Sequence, residues 1–188
     1  MNTRATELPG LLVIEPRVHG DSRGYFSETW HQDRYRQAGL PHAFVQDNIS
    51  FSGHGVLRGL HFQNPRPQGK LVYVLLGEIF DVAVDVRVGS PTFGRWTGVT
   101  LSDQNRHQLF VPEGFAHGVC VTSPTALVAY KCTGFYAPDC ERTLLWDDPE
   151  VGVDWPIRSP IVSAKDGAGL TLRGLAEQRM LPSFAAAV

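Results

Sequence analysis

The chain has 188 residues, 43% of them hydrophobic and 19% charged, with a formal net charge of −2 at pH 7. That length suits one domain, residues 1–188, with a substantial core, and the charge offers no overall attraction to nucleic acid or to a membrane. The longest apolar run, 71–76, is far too short to span a bilayer, and the stretch 11–14 before Glu15 is no signal-peptide core.

Period-two alternation dominates from the start, with turn residues between segments. Strands are predicted over 11–18, 25–30, 44–49, 56–63, 70–76, 79–88, 96–101, 108–111, 118–122 and 125–133. The cleanest is 79–88, where Phe80, Val82, Val84, Val86 and Val88 share one face and Asp81, Asp85 and Arg87 the other. Clusters of Gly, Pro, Asn and Ser separate the strands, as at Gly20-Asp21, 64–67, 89–91 and 112–114. Only 32–38 and 170–180 read as helical, and 185–188 as a frayed end. About ten short strands without intervening helices predict a sandwich or jelly roll. Cys120, Cys132 and Cys140 are odd in number and form no CxxC pair, which points to reduced thiols in a cytoplasmic protein.

The chemistry concentrates in two motifs. The first is Gly55-x5-His61-x-Gln63-x6-Lys70-x6-Gly77, and the second is Pro112-x-Gly114-x2-His117. Both resemble the motifs of metal-binding cupins, in which a second His stands at the Gln63 position and a Glu at the Lys70 position. An ammonium repels a dication and an amide is a poor substitute for imidazole, so no metal site is expected. Lys70 is one of only three lysines, with Lys131 and Lys165. A barrel holding His61 and Lys70 suits proton abstraction beside a carbonyl: an imidazole base near neutral pH and a cation for the oxyanion. Tyr130 shares a strand face with Val128 and Cys132, and a phenol there completes the set from the opposite side.

Longer stretches extend the likeness. Residues 21–28 (Asp-Ser-Arg-Gly-Tyr-Phe-Ser-Glu), Gln46-Asp47-Asn48, 58–63 (Arg-Gly-Leu-His-Phe-Gln) and 77–85 (Gly-Glu-Ile-Phe-Asp-Val-Ala-Val-Asp) come first. Then follow 90–94 (Ser-Pro-Thr-Phe-Gly), 112–118 (Pro-Glu-Gly-Phe-Ala-His-Gly), Tyr130-Lys131, Trp146-x-Asp148-Pro149 and Ser163-x-Lys165-Asp166. In that order they resemble the dTDP-4-dehydrorhamnose 3,5-epimerase family over residues 16–166. The resemblance implies an all-β, cupin-type jelly-roll barrel with short peripheral helices, needing no cofactor and working as a homodimer built with its N-terminal strands. It implies a dTDP-linked 4-keto-6-deoxyhexose as substrate, dTDP-4-dehydro-6-deoxy-D-glucose, inverted at C3 and C5 to give dTDP-4-dehydro-L-rhamnose.

By the same resemblance His61 is the base, Asp166 its orienting carboxylate, Tyr130 the acid and Lys70 the neighbour of the C4 oxygen. Arg23, Glu28, Gln46, Asp47, Asn48, Arg58, His117, Glu141 and Lys165 match positions that hold the nucleotide diphosphate and sugar. Tyr136 matches the aromatic that stacks on thymine. Three other readings compete: an epimerase of a single centre, C3 or C5, in antibiotic-sugar pathways; a metal-dependent cupin oxygenase; and a sugar-binding module without turnover. Two points stay open. Asp81 either lines the barrel or meets water outside, and Arg58 and His61, three residues apart, fall on opposite faces of a regular strand unless Gly59 bulges.

Overall fold

A computed structural model describes residues 1–40 and 43–184; the frayed end expected at 185–188 lies outside the described residues. The strands are β1 (Asn2–Ala5), β2 (Leu12–Glu15), β3 (Val18–Asp21), β4 (Gly24–Ser27), β5 (Gln46–Gly53), β6 (Leu57–Gln63) and β7 (Lys70–Leu76). They continue with β8 (Glu78–Asp85), β9 (Trp96–Ser102), β10 (Gln108–Val111), β11 (Phe115–Val121), β12 (Thr125–Cys132) and β13 (Glu141–Thr143). Among the described residues three short α-helices accompany them, α1 (Gln32–Gln37), α2 (Ala164–Gly167) and α3 (Leu172–Glu177), with one 3-10 turn at Pro138–Cys140.

Two antiparallel sheets make the barrel, in the orders β1-β2-β10-β7-β12-β5 and β13-β6-β11-β8-β9, with β3-β4 a separate ribbon. This is the jelly roll expected, because each of the two sheets has an apolar face that the other must cover. Val72 and Val74 of β7, Ile79 and Ala83 of β8, Val119 and Val121 of β11, and Val128 of β12 form the core between the sheets.

The valine stripe of β8 points the other way. Val82, Val84 and Val86 pack with Leu60, Phe62, Trp155, Leu172 and Leu175 on the outer side of the five-stranded sheet, under the C-terminal segment. That sheet is buried on both faces, so Asp81, on the face opposite the stripe, looks into the barrel. On the six-stranded sheet Leu71 and Phe110 are covered by Tyr35 and Leu40 around α1.

The predicted strand 11–18 divides into β2 and β3 at Pro16-Arg17, where proline has no N–H for a ladder. β2 finds its sheet inside its own chain, between β1 and β10. Three elements carry no periodic signal. β1 is exposed along its whole length, β13 is three residues paired to β6, and α2 is one turn capped by Ser163 Oγ, which accepts from Asp166 N.

β5 has inverted polarity. Gln46, Asn48, Ser50 and Ser52 face inward, while Ile49 and Phe51 are 67% and 61% exposed on the outer side.

Candidate active site

Where β5, β6, β7, β11 and β12 face one another, the barrel opens into two joined lobes. One, of about 310 Å³, is bordered by Gln46, Asn48, Gln63, Tyr136 and Glu141. The other, of about 550 Å³, is bordered by Arg58, Val72, His117, Val119, Val128, Lys165 and Asp166. His61, Lys70 and Tyr130 line both lobes and mark their junction.

His61 reaches the junction through an irregularity in β6. Its partner strand β11 pairs His117 with His61 but Val119 with Arg58, so β6 carries one extra residue between these points. Gly59 sits in that bulge with φ 125°. A Cβ there would lie 2.6 Å from Gly118 Cα and 2.7 Å from the His117 carbonyl oxygen, so only glycine fits. The extra residue returns Arg58 to the cavity face, where its Nε donates to Ser52 Oγ at 3.0 Å. The parity conflict between Arg58 and His61 is thus resolved where the sequence allowed it.

His61 Nε2 donates to Asp166 Oδ1 at 2.6 Å. Asp166 belongs to α2, and its side chain is only 6% exposed against 26% for His61. The Gly59 N–H also points at Asp166 Oδ2, at 3.5 Å. With Nε2–H engaged, Nδ1 keeps the lone pair. Burial pulls the imidazole below its ordinary pKa; Asp166 opposes this through charge and hydrogen bond, and Lys70 adds to it. The net downward shift favours the neutral ring, the form able to accept a proton.

Tyr130 and Lys70 face His61 from the other sheet. They stand on neighbouring strands β12 and β7, with Tyr130 beside Val72 and Cys132 beside Lys70 in the register. Burial, then the nearby Cys132, raise the Tyr130 pKa, against a lowering by Arg58, so the phenol keeps its proton. Burial lowers the Lys70 pKa, while Cys132, Asp81 and Glu141 push it back up. A base on one sheet and a proton-bearing acid on the other leave a gap in which a ring can lose a proton from one face and gain it on the opposite face.

A second imidazole–carboxylate pair lies behind. His117 Nε2 donates to Asp81 Oδ1 at 2.8 Å, with the carboxylate side chain fully buried. Asp81 thus takes the first of its two predicted alternatives. Its Oδ2 has no hydrogen-bond partner among the described residues.

At the mouth, Tyr136 Oη donates to Glu141 Oε2 at 2.7 Å, and Lys165 Nζ pairs with the same oxygen. Burial works against ionisation of Glu141, but the bonds from Lys165 and Tyr136 hold its pKa below the usual value. Gln46 and Asn48 point into the same lobe and bond to each other at 3.1 Å.

Three predicted residues stand elsewhere. Asp47 is on the outer face of β5, paired with Lys131 Nζ at 2.9 Å, because neighbours on a strand alternate. Arg23 lies at the tip of the β3-β4 ribbon, paired with Asp21, and Glu28 is paired with Arg34. Neither borders the His61 lobes of its own chain.

The residues that sequence reasoning underused are Asp81 and Gln63. The signal for Asp81 was its parity opposite the valine stripe. Gln63 was read only as a lost ligand, and two of its three hydrogen bonds join it to residues distant in sequence, Phe135 and Ala137. Among the described residues no three His, Cys, Asp or Glu side chains gather as a metal-ligand set.

A jelly roll whose cavity brings a His–Asp pair together with a tyrosine and a lysine defines a class: a barrel enzyme of proton transfer. Residues 5–174 match the family described as dTDP-4-dehydrorhamnose 3,5-epimerase. The chain belongs to that family. It is 53% identical over 167 residues to the dTDP-4-dehydrorhamnose 3,5-epimerase of Neisseria gonorrhoeae, covering 88% of this chain and only 51% of that relative. It is 54% identical over 164 residues to the enzyme of the same name from Methanothermobacter thermautotrophicus, covering 86% of this chain and 89% of that one. Among solved structures, the dTDP-6-deoxy-D-glucose-3,5-epimerase of Legionella pneumophila, in complex with dTDP-4-keto-L-rhamnose, is similar with a TM-score of 0.95 and 48% identity, over 98% of this chain and 99% of that one.

Proposed function

We propose that this chain, as a single domain, inverts C3 and C5 of dTDP-4-dehydro-6-deoxy-D-glucose, giving dTDP-4-dehydro-L-rhamnose. The observation that carries the reading is the His61–Asp166 pair, bonded at 2.6 Å, at a junction that Tyr130 and Lys70 also line.

The C4 ketone acidifies the hydrogens at C3 and C5, because removal of either gives an enolate. His61 takes the proton, Asp166 orients the ring and stabilises its cation, and Lys70 meets the charge on the C4 oxygen. Tyr130 returns a proton to the other face. Its high pKa keeps the phenol protonated until the enolate needs it. Arg58, His117, Gln46, Asn48, Glu141 and Lys165 hold the sugar and diphosphate, and Tyr136 stacks on the thymine.

The exposed apolar surface supports a homodimer. The inverted β5 leaves Ile49 and Phe51 exposed, and the ribbon leaves Phe26 70% exposed; a second copy is the occupant we assign to these faces. Any contact of Arg23 or Glu28 with substrate requires the ribbon of that second copy. No helix among the described residues is long and apolar enough to cross a membrane, and three unpaired cysteines support a cytoplasmic setting.

The test is turnover of the ketosugar in heavy water, followed by NMR at each carbon. Deuterium at C3 and C5 with inversion at both is expected; label at one carbon means a single-centre epimerase, and no label means a binding protein. Tyr130→Phe should still exchange through the enolate while inversion collapses.

A further inference from the structure

Gln63 occupies the motif position at which metal-binding cupins place a histidine, yet its amide does not reach toward the cavity centre. Nε2 donates to the Arg66 carbonyl oxygen at 2.8 Å and to that of Phe135 at 3.4 Å. Oε1 accepts from Ala137 N at 2.8 Å. Both amide hydrogens and the carbonyl are engaged, in a residue only 5% exposed.

Two more glutamines hold the same loop. Gln46 Oε1 accepts from Tyr136 N at 2.8 Å, and Gln68 Nε2 donates to the Gly134 carbonyl oxygen at 2.6 Å. Every residue from 134 to 137 is thus tied to a glutamine side chain. These three come from β5, from β6 and from the loop before β7, which the barrel itself fixes. The loop's own side chains are open: Phe135 is 72% and Tyr136 51% exposed. The Tyr136 ring is held at its far end too, through its hydroxyl on Glu141. An exposed ring pinned at backbone and tip has lost its rotamer freedom before any ligand arrives, which is what preorganisation for stacking requires.

We propose that Gln63, assisted by Gln68 and Gln46, is a positioning residue that fixes the 134–137 loop so that Tyr136 is presented to the base of a nucleoside diphosphate. This rests on the reading of Tyr136 as the stacking residue. Gln63 acts through the loop and does not itself touch the ligand.

Deoxythymidine diphosphate binding, measured by calorimetry on the full chain, tests it through a double-mutant cycle. Tyr136→Ala should weaken binding roughly five- to hundredfold, the range of a lost base–aromatic stack. Gln63→Ala should weaken it by a comparable factor in the native background and by less than about twofold once Tyr136 is alanine. In turnover, Gln63→Ala should raise KM by a larger factor than it lowers kcat. Gln68→Ala, which leaves the buried amide in place, should show the same non-additivity at smaller amplitude and carries the test if Gln63→Ala does not fold. Equal losses from Gln63→Ala with and without Tyr136 overturn the proposal, since the amide then contacts the ligand directly. Unchanged affinity in Gln63→Ala also overturns it. Unchanged affinity in Tyr136→Ala instead removes the stacking reading on which the proposal stands.

Discussion

Two histidine–carboxylate pairs lie side by side on neighbouring strands, since His117 of β11 pairs with His61 of β6. Their bonds are alike, 2.6 Å for His61–Asp166 and 2.8 Å for His117–Asp81. Their origins differ. Asp81 stands on β8, the neighbour of β11, so one strand pairing delivers it. Asp166 arrives on a one-turn helix 105 residues beyond His61. Their surroundings differ as well. The His61 side chain is 26% exposed and the His117 side chain 10%, and only His61 borders both lobes. The lesson is that an imidazole–carboxylate bond does not by itself make a base. A base also needs access to the cavity and an acid within reach, and of the two histidines only His61 lines both lobes together with Tyr130 and Lys70.

The comparison breaks first at the rings. His61→Ala should lower kcat about 10²–10⁴-fold, the usual share of general-base catalysis, and abolish deuterium uptake. His117→Ala should retain measurable exchange. If the two variants lose exchange equally, the distinction between the pairs fails.

Lys70 comes next. Replacing it by Met should cost about 10²–10³ in kcat, as does losing one oxyanion donor. It should also move the acid limb of kcat/KM. In the native enzyme that limb should lie below the ordinary histidine value of 6.5, with rate lost as pH falls through it and His61 takes up a proton. Lys70 lowers the His61 pKa, so its removal moves the limb up in pH. Asp166 raises it, so Asp166→Asn moves the limb down. Limbs that stay put in both variants would refute His61 as the titrating group.

The Asp81 carboxylate sharpens the contrast at smaller amplitude. Asp81→Asn keeps an acceptor for His117 and removes only a buried charge, so kcat should fall about tenfold or less, below the roughly 1.5–3 kcal/mol of a lost charge-assisted bond. Asp166→Asn should cost more, because Asp166 supports His61, the base we propose. The smallest effect belongs to Asp47→Ala. Its side chain faces away from the cavity and bonds to Lys131 among the described residues, so kcat/KM should stay within about twofold, as for most surface changes.

Much of the scaffold is legible in alternation alone. β7 and β10 begin and end where the period-two pattern predicts, and β8 shows its two faces cleanly. Elements without a periodic face escape. β13 and α2 are too short to display one, yet they carry Glu141 and Asp166 into the site. β5 reads as a strand, but its inverted polarity becomes meaningful only once the inward row lines a polar cavity and the outward row lies uncovered.

Residue types at motif spacing determine a barrel in which His61, Lys70 and Tyr130 are the reactive candidates, because spacing along a strand fixes which side chains share a face. Family likeness extends that to Asp166 and to the mouth of the site. Tertiary structure alone decides three things. The bulge at Gly59 brings Arg58 and His61 to one cavity, since a close approach to Gly118 is a contact between strands. The C-terminal segment covers the valine stripe and thereby turns Asp81 inward. The Gln63 amide is spent on a loop some seventy residues away. Each depends on contacts between segments far apart in the chain, and local periodicity carries no information about those.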